Sequence, residues 1–300
     1  NIIIVGGGRW ARIILNEILE NFPNINKIYI VTKNKKFLLN FSKTKKKKLF
    51  LKKSLNFKEI SKIKFAIVAN KNRDHFLTTN KLLKKKIKIL VEKPLVENIN
   101  HFYQLKNNSN KNQIFVSSPF FFSYYFYYIK KNFLKEANYQ VNIEWHDQIN
   151  EVRDGIKKKH DFGINYLNDT IYHLFGILKC FFGRNNVQFI KKINHKNKGK
   201  IFLQISDNNI FLNCSRLKNN NRIRKISFQS KKNFYEINFS DDNNIILNSN
   251  GKNKKIKFNF CQKTLKYQLY FFFNHKKFSK YYIFNELKNL NDLFKIITKL

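Results

Sequence analysis

One stretch at the N terminus, Asn1–Ile14 with the sequence NIIIVGGGRWARII, restricts the possible folds more than any other. The apolar run Ile2–Val5 is rich in β-branched residues and predicts a strand buried in a parallel sheet. Three glycines end it. Leu15, Ile18, Leu19 and Phe22 then follow at helical spacing, and Pro23-Asn24 stops the helix. Lys27–Thr32, KIYIVT, predicts a second strand, which completes a βαβ unit of about 30 residues. Within it, Gly6-Gly7-Gly8-Arg9-Trp10-Ala11 fits G-x-G-x-x-G/A. Gly6 permits the tight turn, Gly8 lets the backbone approach a pyrophosphate, and Ala11 allows the helix to pack closely on the strand. The helix N-terminus supplies amides and dipole to the phosphates. Its position between a strand and a helix is what gives this motif weight as a dinucleotide site.

A carboxylate for the adenosine ribose is expected at the end of the second strand, about 20 residues on. That region reads Val31-Thr32-Lys33-Asn34-Lys35 and holds no acid. A hydroxyl with neighbouring lysines suits a 2′-phosphate, so NADP(H) is expected over NAD(H), with Thr32 and Lys33 as its contacts.

Strands and helices continue to alternate. Phe65–Ala69, Ile87–Val91 and Gln113–Ser117 read as strands, and Asp74–Lys84 and Asn100–Asn107 as helices. This predicts an α/β doubly wound parallel Rossmann sheet over residues 1–118. The texture then changes. Tyr139–Trp145 reads as a strand and Tyr166–Phe182 as a helix. Strands follow within Val187–Asn194, Lys200–Ser206, Ile210–Ser215, Ile223–Ser230 and Phe234–Phe239, with helix from about Thr264, best at Leu287–Leu300. Polar turns such as Ser206-Asp207-Asn208-Asn209 imply hairpins. Residues 119–300 are therefore expected to form an α+β domain with a mostly antiparallel sheet, serving substrate binding or oligomerisation.

The net charge of +40 raises the question of nucleic acid. The abundant residues, Lys, Asn, Ile and Phe, all have A/T-rich codons, and the basic residues are mostly Lys spread along the whole chain. A nucleic-acid site concentrates its charge and uses Arg at base edges. Compositional drift accounts for the charge better, and no specific nucleic-acid partner is expected. The densest run, Lys45–Lys48, reads as a solvated loop. Cys180, Cys214 and Cys261 have neither metal-ligand nor disulfide spacing, which predicts buried reduced thiols, no metal site and a cytoplasmic setting. The apolar stretch Phe120–Ile129 is too short to span a bilayer, so no membrane partner is expected.

Against such a composition, clusters of G/C-coded residues mark positions with few substitutes. Gly6–Gly8, Trp10, Ala66, Ala69 and Pro94 are of this kind. Lys93 follows a buried strand at its C-terminal end, where ligands bind in open α/β sheets and a lysine is placed to exchange a proton with substrate. Pro94 stiffens the turn that carries it. Asp169 and His173 are four apart and share a helix face. A carboxylate beside an imidazole can orient a substrate hydroxyl and move its proton. Taken alone, the pair also fits a polar stripe on an ordinary helix.

Taken together, these motifs resemble the Gfo/Idh/MocA oxidoreductases, the glucose–fructose oxidoreductase and inositol dehydrogenase family. The likeness rests on the glycine turn, on FAIVANKNRDHF at Phe65–Phe76, on ILVEKPL at Ile89–Leu95 and on NDTIYHL at Asn168–Leu174. It implies an NAD(P)-dependent enzyme that passes a hydride between nicotinamide and a C–O or C–N centre of a small metabolite. Cofactor contacts are implied at Gly6, Gly7, Gly8, Arg9 and Trp10. Further contacts are implied at Ala69, Asn70, Asn72 and His75, and at Glu92 and Lys93. Lys93 and His173 would share acid/base work, Asp169 would position substrate, and the chain would form a homodimer or homotetramer. Three departures bear on the substrate. Gly163 is the one glycine in HDFGINYLND, the stretch that leads into the D-x-x-x-H helix, Gly176 stands where an acid is common, and Pro119 leads into aromatics instead of an Arg. They widen the expected substrates from sugars and polyols to imines. The alternative they raise is a dinucleotide-binding regulator that has lost catalysis.

Overall fold

The computed structural model describes residues 1–274 except 39–40, 42–47, 57–61, 111–112, 135–137, 151, 154–155, 158–165, 184–186, 196–197, 218–220, 242–243 and 257–263. A few side chains inside elements, those of Asn168 and Asp169 among them, also lie outside the description. The run expected as a solvated loop at Lys45–Lys48, together with Gly163, Cys261 and Leu287–Leu300, falls wholly or mostly outside it.

The chain divides into two compact units. Among the described residues, the first contains Asn1–Phe122 and 265–274, whereas the second contains Ser123–Thr264. The sequence places the corresponding boundary at 118/119.

In the first unit, β1 (Ile2–Val5), β2 (Ile28–Val31), β3 (Leu49–Lys52), β4 (Phe65–Val68), β5 (Lys88–Val91) and β6 (Ile114–Val116) form one sheet in the order β3-β2-β1-β4-β5-β6. Every pairing in it is parallel. Strand order reverses between β1 and β4, the switch point at which doubly wound sheets bind ligands. Strands β1 and β2 are buried throughout, as apolar β-branched runs in a two-sided sheet must be. Helix α1 (Arg9–Asn21) buries Ala11, Ile14, Leu15 and Ile18, the stripe its sequence spacing lays on one face. Helices α2 (His75–Leu83) and α3 (Ile99–Asn108) follow β4 and β5. The Asn98 side chain caps α3 by accepting from Asn100 N at 2.7 Å.

The second unit opens with α4 (Tyr124–Asn132), which the aromatic stretch after Pro119 forms. Its large sheet comprises β7 (Gln140–Gln148), then β10 (Val187–His195), β11 (Lys198–Ile205), β12 (Asn208–Leu217), β13 (Ile223–Gln229), β14 (Phe234–Asp241), β15 (Asn244–Ser249) and β16 (Lys252–Ile256). The short strands β8 (Val152–Arg153) and β9 (Ile156–Lys157) pair separately. The order is β10-β11-β12-β7-β13-β14-β15-β16. All pairings are antiparallel except β12 with β7. Burial alternates along β7, β11 and β13, so one face carries the core. Helix α5 (Tyr166–Phe182) packs on β11 and β12, and α4 packs on α5. The Phe126 ring of α4 meets Phe181 at 5.3 Å and Phe239 at 5.5 Å.

The last described helix, α6 (Thr264–Phe273), returns to the first unit. Phe272 packs edge-on against Phe65 and Phe115, each at 5.4 Å. Among the described residues no helix is long and apolar enough to cross a membrane, a statement that does not extend to β-barrels.

Candidate active site

The C-terminal ends of β1, β4, β5 and β6 lie side by side and bring three of the sequence motifs together. Gly6 N bonds Val31 O at 3.0 Å, Ala69 N bonds Val5 O at 2.8 Å, Glu92 N bonds Val68 O at 2.8 Å, and Ser117 N bonds Val91 O at 2.7 Å.

The three glycines differ in what requires them. Gly6 has φ +144°, and a Cβ there would strike the Ala69 carbonyl. A Cβ on Gly7 would strike the Thr32 hydroxyl. Gly8 has an ordinary φ of −86°, and a Cβ on it would meet nothing within 4 Å. The chain's own packing therefore requires Gly6 and Gly7, while Gly8 keeps open a space at the start of α1. That helix has no side-chain cap and no acid in its first turn. Its first intrahelical bond runs from Arg12 N to Gly8 O at 3.2 Å, so the amides before it face outward. An open cradle of amides at an uncapped, acid-free helix N-terminus fits a pyrophosphate. Arg9 is exposed and Trp10 half-buried beside it.

At the end of β2, Thr32 is half-buried and Lys33 exposed. Sequence reasoning missed their neighbour Asn34. Its Nδ2 donates to Gly7 O at 3.2 Å, its backbone N donates to Thr32 Oγ1 at 3.0 Å, and its Oδ1 accepts from Lys36 N at 3.1 Å. Asn34 thus ties the loop after β2 to the glycine turn. An Asx pattern two residues after a strand was the available signal.

Asn70 Nδ2 donates to Thr78 Oγ1 at 2.8 Å, holding the loop after β4 to α2. Asn72 begins a 3-10 turn, Asn72–Asp74, that leads into α2. His75 is fully buried, and its Nδ1 lies 2.7 Å from Pro94 O. Burial lowers its pKa, outweighing the Pro94 and Asn70 backbone groups and Asp74, which raise it.

Glu92, Lys93 and Pro94 form the turn after β5, with a cis Lys93–Pro94 peptide. Lys93 is half-buried. The Glu92 carboxyl is enclosed, and burial raises its pKa against smaller opposing effects of the Ser117 hydroxyl, the Trp10 indole and Lys93. Among the described residues, neither Glu92 Oε1 nor Trp10 Nε1 reaches full hydrogen-bond geometry with a partner. Ser117 is itself fixed from α6. Gln268 Nε2 donates to Ser117 Oγ at 3.0 Å, and Gln268 Oε1 accepts from Ser118 N at 2.8 Å. Gln268 is 2% exposed, a polar residue buried because both ends of its amide are used. Its pairing across about 150 residues of chain left no sequence signal.

In the second unit, Asp169 and His173 both lie in α5, one helical repeat apart. The Asp169 side chain is outside the described residues. His173 is half-buried and stacks on Trp145 of β7, with ring centroids 5.6 Å apart and planes 16° from parallel. Cys180 and Cys214 are buried thiols. Burial raises both pKa values, that of Cys214 to about 12.

Residues 1–119 match the family model described as "Oxidoreductase family, NAD-binding Rossmann fold" (GFO_IDH_MocA). Among solved structures, a dehydrogenase (MviM) from Clostridium difficile is 15% identical with a TM-score of 0.74, and the match covers 100% of this chain and 99% of that one. KijD10, a 3-ketoreductase from Actinomadura kijaniata solved with TDP-benzene and NADP, is 9% identical with a TM-score of 0.68, covering 94% and 93%. At such identities these structures share the fold. Protein Ycf2 of Physcomitrium patens is 27% identical over 252 residues, which cover 81% of this chain and 10% of that protein. The chain spans about a tenth of the length of that curated relative.

Proposed function

We propose that this chain, whose residues 1–119 match the GFO_IDH_MocA family model with its NAD-binding Rossmann fold, is an NADP(H)-preferring oxidoreductase of that family acting on a C–O or C–N centre of a small metabolite. One observation carries the proposal: Gly8 keeps open a cradle at the uncapped start of α1, at the switch point of the sheet, where the chain's own packing has no use for a glycine. When bound there, the nicotinamide supplies or accepts the hydride.

The residues of the chain do the rest. The glycine turn and the first amides of α1 hold the pyrophosphate, with Arg9 and Trp10 at its edge. Thr32 and Lys33 take the 2′-phosphate, in a loop that Asn34 fastens to the turn. Asn70 and His75 shape the walls after β4 and β5. Lys93 and His173 hold and move the substrate proton, and Asp169 orients the substrate hydroxyl or amine. The aromatic character after Pro119 and the glycine at 176 favour a substrate with an apolar surface, a keto sugar or a cyclic imine over a bare polyol. Association as a dimer or tetramer belongs to the same reading and is checked by sedimentation velocity.

The test is a fluorescence titration with NADPH and NADH, followed by turnover of myo-inositol and D-glucose with NADP+ and of a pyrroline carboxylate with NADPH. NADPH is expected to bind more tightly than NADH, and Lys93→Ala and His173→Ala to abolish turnover. Binding of neither nicotinamide cofactor overturns the proposal. Cofactor binding without turnover of any substrate favours a regulator that has kept the Rossmann site alone.

A further inference from the structure

The second unit holds its candidate proton-handling group in an unusual way. Trp145 lies on β7, which pairs with β12 on one side and β13 on the other. Its side chain is 1% exposed. His173, Arg224 and Phe239 meet its indole ring. His173 of α5 stacks on it, with planes 16° from parallel. The guanidinium carbon of Arg224 lies 4.0 Å from the ring centroid. Phe239 presents an edge at 6.0 Å. Arg224 is fixed in turn, since its Nη2 lies 3.1 Å from Asp147 Oδ1 in a pair whose side chains are 7% and 9% exposed. Asp147 sits on the same strand and the same face as Trp145, two residues on.

Composition adds independent weight. Lys outnumbers Arg several-fold, so a position that needs charge alone is open to lysine. Three of the eight arginines are nevertheless Arg216, Arg222 and Arg224, at one end of this sheet. A guanidinium can lie flat on a ring while pairing with a carboxylate, which an ammonium does poorly. Trp145 is likewise one of two tryptophans in the chain. The other, Trp10, stands beside Glu92 in the first unit.

We propose that Trp145 is a positioning residue for His173: its ring, clamped by the Arg224–Asp147 pair, sets the plane of the imidazole. This rests on the reading of His173 as a proton-handling group. An aliphatic side chain would bury the same surface but offers no flat face, so it would leave the imidazole plane unset. A group that moves a proton must sit within about 10–20° of its working orientation. Sites carried by sheet and helix hold such tolerances better than sites on loops.

The experiment compares wild type, Trp145→Phe and Trp145→Leu in the full chain, with 15N-histidine labelling and steady-state kinetics on whichever substrate of the panel above is turned over. In wild type the His173 ring protons resonate upfield, under the indole ring current. Trp145→Phe keeps an upfield shift, whereas Trp145→Leu loses it. Trp145→Leu lowers kcat by about a hundredfold with KM little changed, as misplacement of a reacting group does. Trp145→Phe recovers most of that loss. Thermal denaturation of each variant, followed by near-ultraviolet circular dichroism, identifies any whose second unit fails to fold.

An unshifted His173 in wild type overturns the proposal, as does a Trp145→Leu protein with wild-type kcat. So does a Trp145→Phe protein that falls as far as Trp145→Leu. If wild type turns over none of the panel, the redox reading fails on its own, and the NMR comparison still decides whether Trp145 fixes His173.

Discussion

His75 Nδ1 approaches the Pro94 carbonyl oxygen at 2.7 Å and joins two motifs 19 residues apart. A carbonyl only accepts, so Nδ1 carries the proton and the ring is the Nδ1–H tautomer. His75 thereby braces the turn that carries Lys93. His75→Ala leaves the Pro94 carbonyl without its donor in a buried place, at a cost of about 1–3 kcal/mol. Urea unfolding checks this loss. Burial lowers the His75 pKa. The unfolded chain therefore takes up a proton first as pH falls below about 6.5, and the His75 contribution to stability is lost from there down through the folded value. His75→Ala should flatten that acid slope.

Glu92 shifts in the opposite direction. Burial raises its pKa, so as pH rises above the ordinary glutamate value of 4.5 the unfolded chain ionises first and the folded chain must follow. This group contributes most at low pH, and its contribution declines as pH climbs to the folded pKa. Glu92→Gln removes the ionisation and keeps the shape of the side chain. Melting temperatures from pH 4 to 8 should show a smaller decline in Glu92→Gln than in wild type, with the variant the more stable at pH 8. Equal slopes would mean that the carboxyl is solvated.

What the sequence made legible follows from the range of the interactions. The glycine turn, β1, α1 and β2 could be read because periodicity and turn chemistry act over a few residues, and Tyr166–Phe182 forms α5 with the bounds its pattern implies. β3 was not foreseen. Its burial reads buried, exposed, exposed, half-buried, as an edge strand allows, and an edge strand has no face pattern to detect. β15 and β16 continue the sheet outward among Asn and Lys, where polar composition resembles a loop. In the candidate site, Glu92 and Lys93 were marked by their place after a buried strand. Asn34, Ser117, Gln268 and Trp145 were not. Each works through a partner distant in the chain, and one sequence records no such pairing.

Gly6 and Gly8 separate folding from binding. Gly6→Ala places a side chain at φ +144° and against the Ala69 carbonyl, so it should lower the melting temperature and cofactor affinity together. Gly8→Val adds a Cβ that meets nothing within 4 Å, at an accessible φ. It should leave the melting temperature close to wild type and weaken NADPH binding by about tenfold or more, the effect of losing about 1.4 kcal/mol or more of contact. Thermal denaturation and a fluorescence titration on the two variants decide the matter. Unchanged affinity in Gly8→Val would place the phosphates elsewhere.

The choice between cofactors turns on the loop after β2. Thr32 Oγ1 already accepts from Asn34 N, so its hydroxyl hydrogen remains to donate to a 2′-phosphate, while Lys33 is exposed beside it. A carboxylate at Thr32 would repel that phosphate and accept from a ribose hydroxyl instead. Thr32→Asp should therefore invert the ratio of NADPH to NADH affinity. Asn34→Ala should act differently, because it removes the bond to Gly7 O and loosens the turn that both cofactors share. It should weaken NADPH and NADH by similar factors and leave their ratio unchanged. Titrating both variants with both cofactors tests each role, and a ratio that moves equally in the two would refute this division of labour between Thr32 and Asn34.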